Sequence, residues 1–274
     1  MLTVYPIDEF HGDFNLPSSK PETQRAILAA SLADGDSTIK NDLRCLETSL
    51  MIEACRNMGA FIKEIDDELH ITGNSNHINF KIPTINCQGA ALIFRTFVAL
   101  SCLSKQKIQV VGDTTLRKRI MSPLFTTLRD MGASFHFDKN IDHAPCHVIS
   151  SKLTGGEYDI AGDISSQFIT ALLFTGPFLQ KKITLNIHKK IYSKPYILQS
   201  LQQLESSGIT TEYSKDLTHI SVFPGRYQPI NPNIGIDFTS ASYLLLASAL
   251  LPGTSIYRNF DLNSLQGEKI IYNI

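Results

Sequence analysis

A run of two serines and a glutamine is the stretch of this sequence best suited to holding an anion. Residues 162–173 read GDISSQFITALL, which places Ser165, Ser166 and Gln167 between a Gly-Asp turn and an apolar run. The apolar run predicts a buried helix, and the free amides at a helix N-terminus bind oxyanions well when serine hydroxyls stand beside them. Serine is also a favoured helix cap. Taken alone, the run is equally consistent with an anion site and with simple capping.

A lysine and an arginine stand at the start of another predicted helix. In PSSKPETQRAI, residues 17–27, Lys20 precedes the helix and Arg25 lies on its first turns. Helix amides together with two cations can grip a phosphate or a carboxylate. The segment also has good capping residues, since Ser19 suits the N-cap and Pro21 suits the first helical position. Alone, it is better explained as a well-capped helix with a solvated lysine.

Three consecutive cations precede a further helix. They are Arg117, Lys118 and Arg119 within TTLRKRIMSPL, residues 114–124. Alternation along a strand-like stretch would put Arg117 and Arg119 on one face. Considered alone, this is best explained as a solvated run of charge.

The last segment of this kind is YSKPYI, residues 192–197. The proline forces Lys194 into an extended conformation and can itself begin a helix. Ser193 and Tyr196 can hydrogen-bond a ligand, or can cap the helix and pack against it.

The elements that must position these residues recur along the chain. The segments LETSLMIEACRNMGA, SPLFTTLRDMGA and KPYILQSLQQLESSGI each place apolar residues at helical spacing and end close to a glycine. The spacing predicts a helix with one buried stripe, and glycine suits the left-handed position just after a helix end. These glycines, Gly59, Gly132 and Gly208, recur about every 75 residues, which indicates an internal repeat.

A second set of segments interleaves with the first. Each is an apolar helix, a turn and a β-rich strand, and the set aligns on Arg25, Arg95, Phe168 and Tyr243 with the same period. The sequence therefore predicts an α/β (α+β) fold of repeated βαβαββ-type units, with three complete units and the first half of a fourth. Half a unit cannot bury its own apolar face, so we expect a partner to cover it unless it is an atypical terminal unit.

This pattern predicts two domains. A three-repeat substrate-binding domain is expected over residues 18–228, and residues 1–17 with 229–274 are expected to form a partial second domain. The stretch FPGRYQPINPNIG, residues 223–235, is rich in Pro, Gly and Asn and predicts a linker.

The composition is that of a soluble globular protein and argues against several other classes of protein. The chain has 274 residues, 43% of them hydrophobic and 19% charged, with a net charge of −1, which is typical of a soluble globular protein. A near-neutral balance gives no attraction to nucleic acid or to an anionic membrane. The five cysteines are scattered without a C-x-x-C pair, which argues against a disulfide scaffold or a zinc site and favours the cytoplasm.

Taken together, the segments resemble one enzyme family. SSKPETQRAILAA, LRKRIMSPL, GDISSQFITALL, SKPY, SASYLLLASAL and NSLQGE follow the order and approximate spacing of 5-enolpyruvylshikimate-3-phosphate synthase over essentially all of the sequence. The resemblance implies the enolpyruvyl transferase fold, which has two domains of three repeated units each. It also implies enolpyruvyl transfer from phosphoenolpyruvate to the 5-hydroxyl of shikimate-3-phosphate in aromatic amino acid biosynthesis, with no metal or other cofactor.

The same resemblance implies roles for individual residues. Lys20 and Arg25 look like the family's cations at the first helix, with Lys20 touching both substrates and taking part in catalysis. Arg119 is similar to the arginine that holds phosphoenolpyruvate. The resemblance places the remaining residues at the shikimate-3-phosphate site, with Gln167 between the two substrates: Ser165, Ser166, Gln167, Ser193 and Tyr196.

The sequence also departs from the family pattern. Pro21 replaces a serine, Ala91 replaces a glycine, and Leu46-Glu47 replaces an acidic pair. The family's catalytic aspartate and glutamate belong to a part of the second domain that the sequence does not contain, and Asp237 and Glu268 match no catalytic motif. The main alternatives are therefore a non-catalytic binder of phosphorylated ligands and a half-enzyme completed by another chain. Enolpyruvyl transfer to a related cyclitol is a third hypothesis.

Overall fold

A computed structural model describes residue 3 and residues 5–273 of the chain. Within these residues, seven α-helices and thirteen β-strands alternate in the order that the repeat predicts. The helices are α1 Lys20–Leu32, α2 Leu46–Asn57, α3 Ala91–Ser101, α4 Ser122–Asp130, α5 Ser166–Thr175, α6 Lys194–Ser206 and α7 Phe238–Leu250. The strands are β1 Gly12–Asn15, β2 Asp36–Ile39, β3 Phe61–Ile65, β4 Glu68–Thr72, β5 Thr84–Asn86, β6 Ile108–Val111, β7 Ala133–Phe137, β8 Cys146–Ser151, β9 Gly156–Ala161, β10 Ile183–His188, β11 Thr211–Tyr213, β12 His219–Val222 and β13 Ser255–Arg258.

Three sheets, each with a pair of helices, form the repeated units. The second unit has the strand order β5-β6-β8-β7 and the third has β9-β10-β12-β11, so a parallel pair is followed by two antiparallel strands. Among the residues that the structure describes, the first unit has only β2-β4-β3. The predicted α/β fold of repeated βαβαββ-type units is therefore confirmed, with one strand missing from the first copy.

The segment 229–235 occupies the place of that missing strand. Lys40 donates its backbone N–H to the carbonyl of Pro232 at 3.0 Å, and Ile234 donates to the carbonyl of Lys40 at 2.9 Å, in a parallel arrangement beside β2. The sequence predicted a linker here. Its prolines prevent a regular ladder, but the segment completes the first sheet as well as connecting the third unit to α7.

The three central helices α1, α3 and α5 are buried on nearly all sides. Helices α3 and α5 are apolar on almost every face, whereas α1 is apolar or small only from Ala26 onward and has polar residues in its first turns. Helices α2, α4 and α6 bury one stripe and expose the other, as their periodicity predicts. Among the described residues, none of the helices has the length and apolarity needed to cross a bilayer.

The hydrophobic core has two parts. One large cluster spans the three units, and a small second cluster contains Leu16, Ile236, Phe238 and Ala241. The small cluster joins α7 to the parallel pair β1 and β13. Helix α7 exposes large apolar side chains, with Tyr243 76% and Leu250 72% accessible, whereas the equivalent helices α1, α3 and α5 are covered. The division of the chain into domains at 18–228 stays a prediction.

The repeated glycine lies where the sequence predicts it. Gly59, Gly132 and Gly208 follow α2, α4 and α6 with φ of +115°, +107° and +78°. Only glycine adopts these angles without strain, because a Cβ atom crowds the following carbonyl oxygen.

Because the surroundings of these glycines differ, replacing each by alanine should lower the free energy of unfolding by different amounts. An alanine Cβ at Gly132 would lie 2.8 Å from the carbonyl oxygen of Lys152, whereas at Gly59 its nearest neighbour would be 3.5 Å away. We expect Gly59→Ala to lower the free energy of unfolding by about 1–2 kcal/mol through backbone strain alone. Gly132→Ala should lower the free energy of unfolding clearly more, because the backbone at Lys152 must also move to make room for the new Cβ atom. Urea denaturation of the pair measures the difference, and equal costs would contradict the steric argument.

Candidate anion-binding site

The N-termini of four helices meet around one cavity of about 350 Å³. Helix α1 contributes Lys20 and Pro21, α3 contributes Leu92, and α5 and α6 begin at the cavity with their own first residues. Each helix N-terminus carries partial positive charge and free N–H groups, so four of them favour an anionic ligand. The full lining is Lys20, Pro21, Gln24, Arg25, Leu92, Ile164, Ser165, Ser166, Gln167, Ser193 and Tyr196.

The four helix starts are capped unequally. Ser19 caps α1, accepting the N–H of Glu22 at 3.4 Å, and Ser165 caps α5, accepting the N–H of Gln167 at 3.3 Å. Within the described part of the chain, Ala90 and Ser193 give α3 and α6 no side-chain cap. The first amides of α3 and α6 are therefore left for solvent or a ligand.

Arg25 is a buried cation whose hydrogen-bond partners are neutral. It is 3% exposed and donates to Ser200 Oγ at 2.9 Å, to the carbonyl of Pro21 at 2.9 Å and to the carbonyl of Tyr196 at 3.1 Å. Burial lowers the pKa of Arg25 to about 10, so it remains a cation at neutral pH. A buried charge without a bonded counterion at the wall of a cavity favours an anion in that cavity.

Arg95 is a second buried cation, and no sequence motif marks it as a site residue. It is 5% exposed and donates through Nη1 to Ser165 Oγ at 2.9 Å and to Gln167 Oε1, while its guanidinium lies 4.4 Å from the ring centre of Phe168. Burial, with repulsion from Arg119, lowers its pKa to about 10. The signal that could have identified it is an arginine inside the apolar helix ALIFRTFVALS, because a charged side chain is seldom buried unless it has a specific partner or role.

Arg119 does not line the cavity, although it lies close enough to Arg95 to lower the pKa of that residue. The strand-like arrangement expected for the three cations is wrong. Leu116–Lys118 is a 3₁₀ turn, because Asp113 Oδ1 accepts the backbone N–H groups of Thr115 and Leu116, each at 2.9 Å. Arg117 instead donates from Nε to the carbonyl of Gly112 at 2.9 Å.

Two donors at the cavity are held by carboxylates. Lys20 Nζ donates to Glu47 Oε1 at 3.0 Å, and the hydroxyl of Tyr196 donates to Glu268 Oε1 at 2.9 Å. Burial and the bond to Glu268 raise the pKa of Tyr196 to about 12, so this phenol is a donor at neutral pH. The structure therefore brings together at one cavity every residue of the predicted site except Arg119.

Arg25 also lines a second cavity, of about 520 Å³, between α1, α6 and the segment 229–235. At this junction Glu22 Oε1 accepts from Gln266 Nε2 at 3.1 Å, and the other two bonds of the Gln266 side chain reach the carbonyl of Ile236 and the N–H of Phe238. Gln266 thus ties α1 to the start of α7. Burial raises the pKa of Glu22 above its ordinary value, although the bond from Gln266 opposes this.

Glu22 should make stability depend on pH at this junction. Since its pKa is raised by folding, the folded chain binds the proton more tightly than the unfolded chain, and stability falls as pH rises from about 4.5 through the folded pKa. We expect Glu22→Gln to be more stable than the wild type at pH 7 and to have a flatter profile over that window. Thermal unfolding between pH 4 and 8 measures this, with Glu212→Gln on exposed β11 as the control. If Glu22→Gln changed the unfolding temperature by the same amount at every pH, the role of Glu22 ionisation would be contradicted.

The repeated units, with four helix N-termini gathered at one cavity, define an enolpyruvyl transferase fold. Solved structures of EPSP synthase from Acinetobacter baumannii share it, with TM-scores of 0.82 and 0.81 at 20% sequence identity, covering 93% of this chain and 57% of theirs. The family model for EPSP synthase (3-phosphoshikimate 1-carboxyvinyltransferase) matches residues 4–274. The chain belongs to the EPSP synthase family.

Curated relatives carry the same family name over a longer chain. The 3-phosphoshikimate 1-carboxyvinyltransferase of Methanosphaera stadtmanae is 31% identical across all of this chain, and that of Methanocaldococcus jannaschii is 35% identical. A relative from Nitrosopumilus maritimus is 32% identical over 96% of the chain. The chain spans 65%, 64% and 61% of the length of these three proteins.

Proposed function

We propose that this chain forms the shikimate-3-phosphate-binding part of an enzyme that transfers enolpyruvyl from phosphoenolpyruvate to the 5-hydroxyl of that substrate, in aromatic amino acid biosynthesis. The observation that carries the proposal is the convergence of four helix N-termini and the buried cation Arg25 on one cavity. Family membership gives the substrate, since the matching relatives are named 3-phosphoshikimate 1-carboxyvinyltransferases.

In this proposal, the phosphate of shikimate-3-phosphate lies against Ser165, Ser166 and Arg25. Amides and hydroxyls at the start of α5 donate to the phosphate oxygens, and the guanidinium supplies charge that water does not screen. Gln167 is held by Arg95, which orients it. Ser193 and Tyr196, at the start of α6, contribute hydroxyl groups to the ring of the substrate.

Phosphoenolpyruvate is proposed to bind beside this cavity, between Lys20 and Arg119. Lys20 is the one proposed catalytic residue, since its ammonium at the rim can contact both substrates. Reaction requires that the 5-hydroxyl oxygen attack C2 of phosphoenolpyruvate and lose its proton while C3 takes up a proton, and that C3 then lose a proton as phosphate leaves C2. A positioned acid or base normally assists such proton transfers. Two carboxylates beside the cavity, Glu47 and Glu268, already accept hydrogen bonds from the side chains of Lys20 and Tyr196.

Calorimetry with shikimate-3-phosphate tests the binding part of the proposal. We expect the chain to bind shikimate-3-phosphate and to bind shikimate, which lacks the phosphate, at least tenfold more weakly, because the cavity donors are directed at a dianion. Equal affinity for the two compounds, or no binding of either, would overturn the proposed site. A phosphate-release assay with both substrates then shows whether the chain turns over alone.

The exposed face of α7 favours a second candidate, in which another polypeptide completes the protein. Tyr243, Leu246 and Leu250 are 76%, 51% and 72% exposed on a helix whose counterparts in the three units are buried. We propose that this face is covered by further repeated units on a second polypeptide, which would also supply the catalytic carboxylates that the family resemblance implies. The unmatched part of the Methanosphaera relative is a suitable probe. Phosphate release that needs both polypeptides supports completion by a partner, and binding without turnover in either case supports a non-catalytic binder.

A further inference from the structure

We propose that Glu47 is a positioning residue that occupies the ammonium group of Lys20 while the cavity is empty and yields it to an incoming anion. This rests on the proposed function, because it requires that the cavity bind an anionic ligand. Glu47 is thereby an internal competitor of the substrate, and its charge sets how tightly the site binds.

Glu47 is fixed at the cavity rim by three contacts. Its Oε1 accepts from Lys20 Nζ at 3.0 Å, its Oε2 lies 3.5 Å from the thiol of Cys45, and its backbone carbonyl accepts from Gln24 Nε2 at 3.4 Å. Lys20 and Gln24 both line the cavity, while Glu47 lies in the first turn of α2. Lys20 and Cys45 therefore hold the carboxylate beside the wall of the site, while part of it remains open to water.

Lys20 differs from the other cations of the site in having a carboxylate partner. Arg25 and Arg95 bond to neutral groups, which leaves their charge available to a ligand. The bond from Lys20 holds the pKa of Glu47 below its ordinary value despite the opposing effect of burial. Glu47 is therefore ionised at neutral pH, and any ligand that uses Lys20 has to compete with it for the charge of the ammonium group.

The pair is weak enough to be displaced. The side chains of Lys20 and Glu47 are 42% and 39% exposed, and ion pairs this open to water contribute little to stability. A phosphate dianion brings twice the charge of a carboxylate, and the amides of four helix N-termini stabilise it as well. Once the anion has bound to Lys20, Glu47 remains close to it and repels it. Glu47 therefore weakens binding twice, by competing for Lys20 and by repelling the bound anion.

Removing the charge of Glu47 should tighten anion binding. We expect Glu47→Gln, which keeps the size of the side chain, to bind shikimate-3-phosphate roughly three- to tenfold more tightly than the wild type at low ionic strength. Raising the salt concentration to about 0.5 M should reduce that gain, since exposed charges are then screened. Glu53→Gln is the matched control, because Glu53 is exposed on the same helix and should leave the affinity unchanged.

A double-substitution cycle shows whether Glu47 acts through Lys20. In a Lys20→Gln background, Glu47→Gln should give less than half of its gain, on a logarithmic scale. Unchanged or weaker binding by Glu47→Gln, or a gain independent of both salt and Lys20, would overturn the inference.

Inorganic phosphate serves as a second probe, which separates this inference from the proposed function. If no variant binds shikimate-3-phosphate but Glu47→Gln binds phosphate more tightly than the wild type, the proposed substrate is wrong and the role of Glu47 stands. If Glu47→Gln binds phosphate no more tightly either, both fail.

Discussion

Replacing Arg25 by methionine will weaken the binding of shikimate-3-phosphate about 100-fold or more, a loss of about 2.7 kcal/mol. Arg25 is the buried cation of the cavity, and a charge-assisted hydrogen bond made away from water is among the strongest polar contacts a protein makes. Methionine fills similar space without charge. Arg25→Lys should recover only part of the affinity, because an ammonium group does not reproduce the three directed bonds of the guanidinium.

The same substitution should leave the fold largely intact. The groups that accept from Arg25 keep other partners, since Ser200 Oγ bonds to Thr170 Oγ1 at 2.8 Å and donates to the carbonyl of Tyr196 at 2.9 Å. Removing a buried charge also removes its desolvation cost. We expect the unfolding temperature to change by only a few degrees.

Calorimetric binding and thermal unfolding of the Arg25 variants separate ligand binding from folding. Arg56→Met is the control, since Arg56 donates to the carbonyl of Ile62 and does not line the cavity. A loss of affinity below threefold in Arg25→Met would show that the ligand does not use this cation. A collapse of the unfolding temperature would show that Arg25 is a structural residue.

The second large effect is expected on stability. Phe168 is completely buried in α5, and its ring supports the guanidinium of Arg95. Phe168→Ala should lower the free energy of unfolding by about 3–5 kcal/mol, because it removes a large apolar side chain and leaves a cavity in a close-packed core. Urea denaturation followed by circular dichroism measures this.

Phe168→Leu provides a sharper comparison at the same position. Leucine keeps most of the apolar volume, so the stability loss should stay below about 1.5 kcal/mol. It offers no aromatic face to Arg95, so the residues that Arg95 holds, Ser165 and Gln167, should be less well ordered and shikimate-3-phosphate should bind several-fold more weakly. A leucine variant with wild-type affinity would mean that the stacking of Arg95 has no role in the site.

The repeat and its helices could be predicted from the sequence because their signals are local. Apolar spacing determines which face of α2, α4 and α6 is buried, and the positive φ of Gly59, Gly132 and Gly208 follows from the need to end each helix. Several candidate site residues were also identifiable, since each lies in a short segment that begins a helix.

The features that could not be predicted from the sequence depend on contacts between segments far apart in the chain. Arg95 lies inside an apolar helix, and only the fold reveals that Ser165 and Gln167, more than sixty-five residues later, accept its hydrogen bonds. The turn at Leu116–Lys118 was misjudged because alternation cannot show that the side chain of Asp113 closes it. The pairing of Lys20 with Glu47 likewise joins two helices whose relative position no local pattern encodes.

The placement of segment 229–235 beside β2 has a consequence for the order in which the chain folds. Thr38 donates its N–H to Asn231 Oδ1 at 2.8 Å across a separation of 193 residues, so the first sheet acquires its last neighbour only after the third unit has been made. Contacts this distant in sequence slow folding, although the entropy of closing a long loop grows only slowly with its length. During synthesis, the β2 edge of the first sheet stays open until the segment 229–235 has been made. This late segment, with prolines that discourage further strand addition, then covers that edge.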